Sequence, residues 1–215
     1  LTVNISGITS LDVSDNNISD LTGIEGFIAL ETLYVDKNNL TNLDVSNNTA
    51  LVTLNCEQNQ LTSIDVSTNT SLSSLSCGNN NTFLNLDLSN NSSLTYLKCT
   101  GNGLTSLDLS NNLNLITLYA SFNSLSNLDL TLNTNLNSID LENNNLSSLN
   151  IQNGSNSAIN TGSFYVENNP NLTCIQADDV AYSTSNWTNI DPQTSFSLNC
   201  AGPVLVSSIN VQGQA

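Results

Sequence analysis

Apolar side chains recur along this chain at fixed offsets, and the block of offsets itself repeats. Aligned on the leading residue, Leu30, Leu51, Leu72, Leu94, Leu115 and Leu136 open copies separated by steps of 21, 21, 22, 21 and 21 residues. Ile8 leads an earlier copy of 22 residues, and Thr161 holds the matching place in a later, degenerate one, TGSFYVENNPNLTC. Self-similarity at such a period marks a stack of equivalent units. Within residues 94–114, LTYLKCTGNGLTSLDLSNNLN, alternation of apolar and polar positions predicts a short strand. It sends Leu97 and Cys99 inward and Tyr96, Lys98 and Thr100 outward onto a shared sheet face. Each turn buries about six apolar side chains, at ~1.5 to 3 kcal/mol apiece when fully buried. One turn cannot close that core alone, so neighbours must stack.

Asparagine follows the same beat. The first half of each copy reads LxxLxLxxNxL, with its Asn at Asn16, Asn38, Asn59, Asn80, Asn102, Asn123, Asn144 and Asn169. A side-chain amide both donates and accepts, so these residues are placed to satisfy buried backbone groups of the adjoining turn. A second series, Asn48, Asn69, Asn91, Asn112 and Asn133, is expected to do the same at the far corner. This pattern is the leucine-rich repeat signature. The near-duplicate second half, LTSLDLSNN, resembles the short bacterial class of leucine-rich repeat from secreted and surface proteins of Bacteroidetes-type bacteria. The resemblance implies a secreted or cell-surface setting. The repeat predicts a right-handed leucine-rich repeat solenoid of about eight rungs, mainly β, over residues 1–173. A parallel sheet should line one face and short extended segments the other, with few or no helices.

Where the repeat fails, the stretch NPNLTCIQADDVAYSTSNWTNIDPQTSFSLNC resembles the C-terminal cap of the same repeat family. A last rung would otherwise expose its apolar face, and Val180, Tyr182, Trp187, Ile190 and Phe196 are available to cover it. The resemblance implies a cap over 174–200 tied by a Cys174–Cys200 disulfide, worth ~3 kcal/mol in the chain-entropy model and favouring an oxidising compartment. Residues 201–215, with PVLVSSINVQGQA, read as a linker and the first strand of a following domain, of immunoglobulin-like type. Because Leu1 opens in mid-pattern, the chain reads as a module of a longer multidomain protein, and a monomeric one. The polar loop QNGSNSAINTGS lengthens the Leu136 copy to 25 residues.

Two Lys+Arg against 18 Asp+Glu give a formal net charge of -16, which repels nucleic acid and acidic lipid surfaces. No apolar run is long enough to span a bilayer. The absence of His removes the usual general base and metal ligand, so no resident metal and no His-based catalysis is expected. Carboxylates on adjacent rungs, Asp36 with Glu57 and Glu142 with Glu167, match the ~5 Å separation of a retaining glycosidase pair. On an open, wet face they lack the dry pocket a raised acid requires, and no enzyme activity is expected. The acidic column Asp44, Asp65, Asp87, Asp108 and Asp129 reads as caps on backbone N–H groups of the same turns. A calcium-binding ridge is the alternative, disfavoured because such sites converge six or more oxygens. Cys56, Cys77 and Cys99 fall at one inward position on successive rungs and read as buried thiols in place of Leu or Val.

With inward positions fixed by packing, function falls to the outward ones. Tyr34, Tyr96, Tyr119 and Tyr165 are four of the five tyrosines, and all take outward strand positions. Tyr96, Lys98, Tyr119 and Phe122 form one candidate binding patch, and Tyr34 and Lys37, with Asp36 and Glu57, a second. Such a surface stacks on sugar rings or anchors a protein; equally, tyrosine favours exposed strands and Lys98 relieves negative charge. The expectation is a non-catalytic extracellular module binding a protein or a neutral glycan. The alternatives are a carbohydrate-binding accessory module of a secreted polysaccharide-degrading enzyme and a passive spacer.

Overall fold

The computed structural model describes residues 5–80 and 83–200. Eight parallel strands form the front sheet in the order β1 (Ser10–Asp12), β2 (Thr32–Tyr34), β3 (Thr53–Asn55), β4 (Ser74–Ser76), β5 (Tyr96–Lys98), β6 (Thr117–Tyr119), β8 (Ser138–Asp140) and β10 (Phe164–Tyr165). A rear sheet orders β12 (Ser195–Ser197), β11 (Cys174–Ala177), β9 (Ser148–Ile151) and β7 (Asn127–Asp129). The corresponding rear segments around Val45, Val66, Leu88 and Leu109 form no strand. The front register places Leu11, Leu33, Leu54, Leu75, Leu97, Leu118, Ile139 and Phe164 in one column. From Leu33 onward every member of that column is buried, as the alternation requires.

The same position beyond each front strand is left-handed. Asp15, Lys37, Gln58, Asn79, Phe122, Asn143 and Asn168 have φ between 53° and 60°, and Gly101 has 71°. The bend costs conformational energy for every L residue in it. It is held by a continuous ladder, because the amide of Lys37 donates to Glu57 O (2.9 Å), that of Gln58 to Gly78 O (3.0 Å) and that of Phe122 to Glu142 O (2.9 Å). Just beyond it sits the first asparagine series. Asn80 Nδ2 donates to Cys56 O (3.0 Å) and Cys77 O (3.0 Å) while its Oδ1 accepts from Leu61 N (3.2 Å). Asn123 goes further, accepting from the amides of Asn102, Gly103 and Leu104.

The second series departs from expectation. Asn112 Nδ2 donates to Leu88 O (3.2 Å) and Asn91 O (2.9 Å). The Oδ1 atoms of Asn48, Asn69, Asn91, Asn112 and Asn133, however, are buried and accept nothing. At this corner the turn is closed by backbone bonds, such as Leu115 N to Asn112 O (3.1 Å). These residues are one-sided donors. Asn153 extends the series by one turn, donating to Asn133 O.

The cap ends the stack by imitation. Asn189 forms a parallel bridge with Tyr165 and supplies a carbonyl to Val166 N (2.9 Å), so the solenoid has about nine turns, one more than the repeat predicts. Asp191 takes the place of the next asparagine, its carboxylate accepting from Asn168 N and Asn169 N. Helix α1 (Val180–Asn186) is N-capped by Asp179, whose side chain accepts from Tyr182 N. It delivers Trp187 onto Phe164, with ring centroids 4.2 Å apart and planes 14° from parallel. Tyr182, Ile190 and Phe196 pack on the same core, while Val180 starts the helix at the surface edge. Cys174 and Cys200 are disulfide-bonded, and β11 and β12 continue the rear sheet into the cap. The expected following domain at 201–215 lies outside the described residues.

Candidate binding face

Three outward columns cross the front sheet, and their members are fixed by the strand register. The aromatic patch expected from the sequence is assembled around β5 and β6. Lys98 lies in register with Tyr119, and Tyr96 with Thr117. The rings of Tyr96 and Tyr119 meet edge to face, with centroids 5.9 Å apart and planes at 89°. Burial pushes the Tyr96 phenol above its ordinary pKa, despite the opposing charge of Lys98. Phe122 projects from the left-handed column with 59% of its surface exposed. Every other described member of that column is polar or glycine.

Lys98 does not offer its charge to solvent alone. Its Nζ lies 2.9 Å from Glu57 Oε1 and 3.1 Å from Oε2, two turns away and 41 residues apart. The reach is possible because β4 carries only Ser74 and Ser76 outward, followed by buried Gly78. A Cβ on Gly78 would fall 2.9 Å from Glu57 Oε1 and 2.8 Å from Thr100 O, so this gap exists only with glycine. Burial opposes the Lys98 charge, but the Glu57 hydrogen bond and charge outweigh it and raise the pKa. Glu57, counted with the second patch, is thus also tied to the first through Lys98. Asp36 instead accepts from Asn55 Nδ2 (3.0 Å), and Tyr34 (37% exposed) and Lys37 remain at the surface of the β2 turn. Sequence reasoning missed the clasp because it considered adjacent turns; the interrupting Gly78 was the available signal.

On the C-terminal side, Asp140 Oδ1 accepts from Glu142 N (3.2 Å) and its Oδ2 from Ser121 Oγ (2.8 Å). Burial first, then the charges of Asp140 and Glu167, push the Glu142 carboxyl above its ordinary value. Away from this face, the acidic column caps its own turns: Asp44, Asp65, Asp87, Asp108 and Asp129 each accept from the amide two residues on, at 2.9 Å. Hydrogen bonds from Ser46, Ser67 and Ser89 hold Asp44, Asp65 and Asp87 below the usual carboxylate range. Among the described residues no group of three or more His, Cys, Asp or Glu is placed to hold a metal ion. The thiols of Cys56, Cys77 and Cys99 are free and buried; burial pushes Cys56 and Cys99 up to about 12 and Cys77 well above its ordinary value. No helix among the described residues is long and apolar enough to cross a membrane.

No protein-family model matches the sequence, and no curated protein sequence does. Solved structures do. The chain is similar to the functional domain of InlJ from Listeria monocytogenes, a domain that includes a cysteine ladder, at 30% identity over 84% of this chain and 47% of that one, with a TM-score of 0.61. It is similar to the internalin InlF from the same organism at 25% identity over 87% of this chain and 61% of that one, with a TM-score of 0.55. The Leptospira interrogans leucine-rich repeat protein LIC12759 has the same fold at 20% identity over 87% of this chain and 54% of that one, with a TM-score of 0.65. The chain thus spans between 47% and 61% of these proteins' lengths. Stacked turns of about 21 residues, a terminal disulfide and these bacterial neighbours together make the architecture a leucine-rich repeat solenoid.

Proposed function

We propose that the chain is a non-catalytic, extracellular binding module that recognises a protein through the front sheet face. Phe122 is the observation that carries this reading: an apolar ring, largely exposed, held in a backbone conformation that bulky residues avoid. A buried aromatic anchor is what such a residue becomes in a complex. Tyr96, Tyr119 and Lys98 form the centre of the contact, and Tyr34 and Lys37 extend it toward the N-terminal end. The edge-to-face tyrosine pair favours a protein over a glycan, since sugar stacking uses open ring faces and here one face meets its neighbour's edge. The disulfide supports a secreted or cell-surface location.

The test is selection of a random-peptide display library on the immobilised protein, counter-selected on a Tyr119→Ala/Phe122→Ser variant. Clones retained by the native face and released by the variant are expected. Recovery of no face-dependent clone refutes the protein reading, and Tyr119-dependent retention on a glycan array would then put a glycan in its place. No calcium is assigned to the acidic column, so the melting temperature should be the same with calcium and with chelator; a bound ion would raise it.

A further inference from the structure

The ionisable groups of the sheet face divide about its aromatic centre. On the N-terminal side Glu57 is clasped by the cation Lys98 and Asp36 accepts from the neutral Asn55, while across the centre Asp140 likewise accepts from neutral donors, Ser121 Oγ and Glu142 N. On the C-terminal side Asp140, Glu142 and Glu167 have no cation, because the Lys98–Glu57 pair is the single salt bridge among the described residues. Lys37, the other cation, lies on the β2 turn. Turns ~4.8 Å apart bring these like charges close enough to repel; the Glu142 carboxyl is raised by its burial first and by the charges of Asp140 and Glu167 second. The aromatic surface runs directly into this region. The Phe122 amide donates to Glu142 O, Tyr119 lies in register with Asp140, and Tyr165 is 37% exposed on the following turn.

We infer that the half of the face from Tyr119 to Glu167 docks a cationic segment of the partner protein, an Arg or Lys stem lying against Phe122 with its charge among Asp140, Glu142 and Glu167. This rests on the protein-binding reading above and adds the partner's chemistry. Charge complementarity selects the occupant. A guanidinium or ammonium relieves the repulsion, gains charge-assisted hydrogen bonds and stacks on the exposed ring. A neutral or acidic segment would instead strip water from carboxylates that have no cation beside them.

The experiment uses the face-dependent peptide clones from the selection described above. Their affinities are compared on the native protein, on Asp140→Asn/Glu142→Gln/Glu167→Gln, and on Asp44→Asn/Asp65→Asn/Asp87→Asn, which removes the same charge from the acidic column. Clones rich in Arg and Lys are expected, weakened about tenfold or more by the face triple, about twofold or less by the control, with the difference shrinking as salt rises. Neutral or acidic face-dependent clones overturn the cationic assignment and leave protein binding standing. Equal losses in both triples overturn it too, since bulk charge then suffices. Absence of any face-dependent clone fells the parent reading and this one together. The face substitutions are near-isosteric and remove repulsion; should the triple fail to fold, Glu167→Gln alone carries the same comparison.

Discussion

The two asparagine series differ in what they satisfy, and that difference is measurable. Asn123→Ala removes the acceptor for Asn102 N, Gly103 N and Leu104 N and the donor to Cys99 O and Ala120 O. Leu104 and Cys99 are buried, so water cannot replace these bonds without opening the turn. At ~1 to 3 kcal/mol for each buried group left unpaired, two or three such groups give a loss of about 2 to 9 kcal/mol. Asn112→Ala costs Leu88 O and Asn91 O a donor but also deletes an oxygen that was buried without a partner. The second effect offsets part of the first and leaves about 1 to 2 kcal/mol. Urea unfolding followed by circular dichroism reads both through the transition midpoints, provided the slopes match the native protein's. If Asn112→Ala proves as destabilising as Asn123→Ala, the assignment of one-sided and two-sided asparagines is wrong.

Three further outcomes are expected. Gly78→Ala should destabilise by ~1 to 3 kcal/mol through overpacking, and adding Glu57→Ala should not rescue it, because Thr100 O still stands 2.8 Å from the new methyl group; a variant melting at or above the native temperature contradicts this. Cys56, Cys77 and Cys99 should resist a thiol-labelling reagent at pH 8 until the protein unfolds, since burial suppresses their thiolates; labelling of the folded protein would place them elsewhere. The folded pKa values of Asp12, Asp44, Asp65, Asp87 and Asp108 lie below 3.8, so their contribution is complete above that pH and is lost as pH falls through the lower folded values. Glu142 has the opposite sign: its protonation favours the fold as pH falls toward the ordinary glutamate value of 4.5, so acid melting should stay shallow to about there and steepen below 3.8.

The inward architecture was legible because each of its determinants recurs. Leu54, Leu75 and Leu97 are read from period and alternation alone, and the first asparagine series is read from its place after the strand. The outward face was legible only in part. Tyr96 and Tyr119 come together because register fixes their columns, and the sequence contains that register. The Lys98–Glu57 clasp depends on the depth left by Ser76 and Gly78, a property of missing side chains that no periodicity encodes. The unpaired oxygens of the second asparagine series depend on where backbone amides point, which repeats faithfully yet leaves no mark in composition. The aromaticity of Phe122 is legible in the sequence; its left-handed backbone, shared with Lys37, Gln58 and Asn79, is a property of the folded turn.

Units in a linear array of this kind ordinarily hold only their immediate neighbours, so fraying proceeds from an end one unit at a time. The Lys98–Glu57 contact joins the third and fifth front strands over the head of the fourth, and Gln152 Nε2 reaches Leu198 O over 46 residues in the cap. Each is a second-neighbour coupling. The contact ties the two outer units to each other across the middle one, which biases loss of order there toward all three units together.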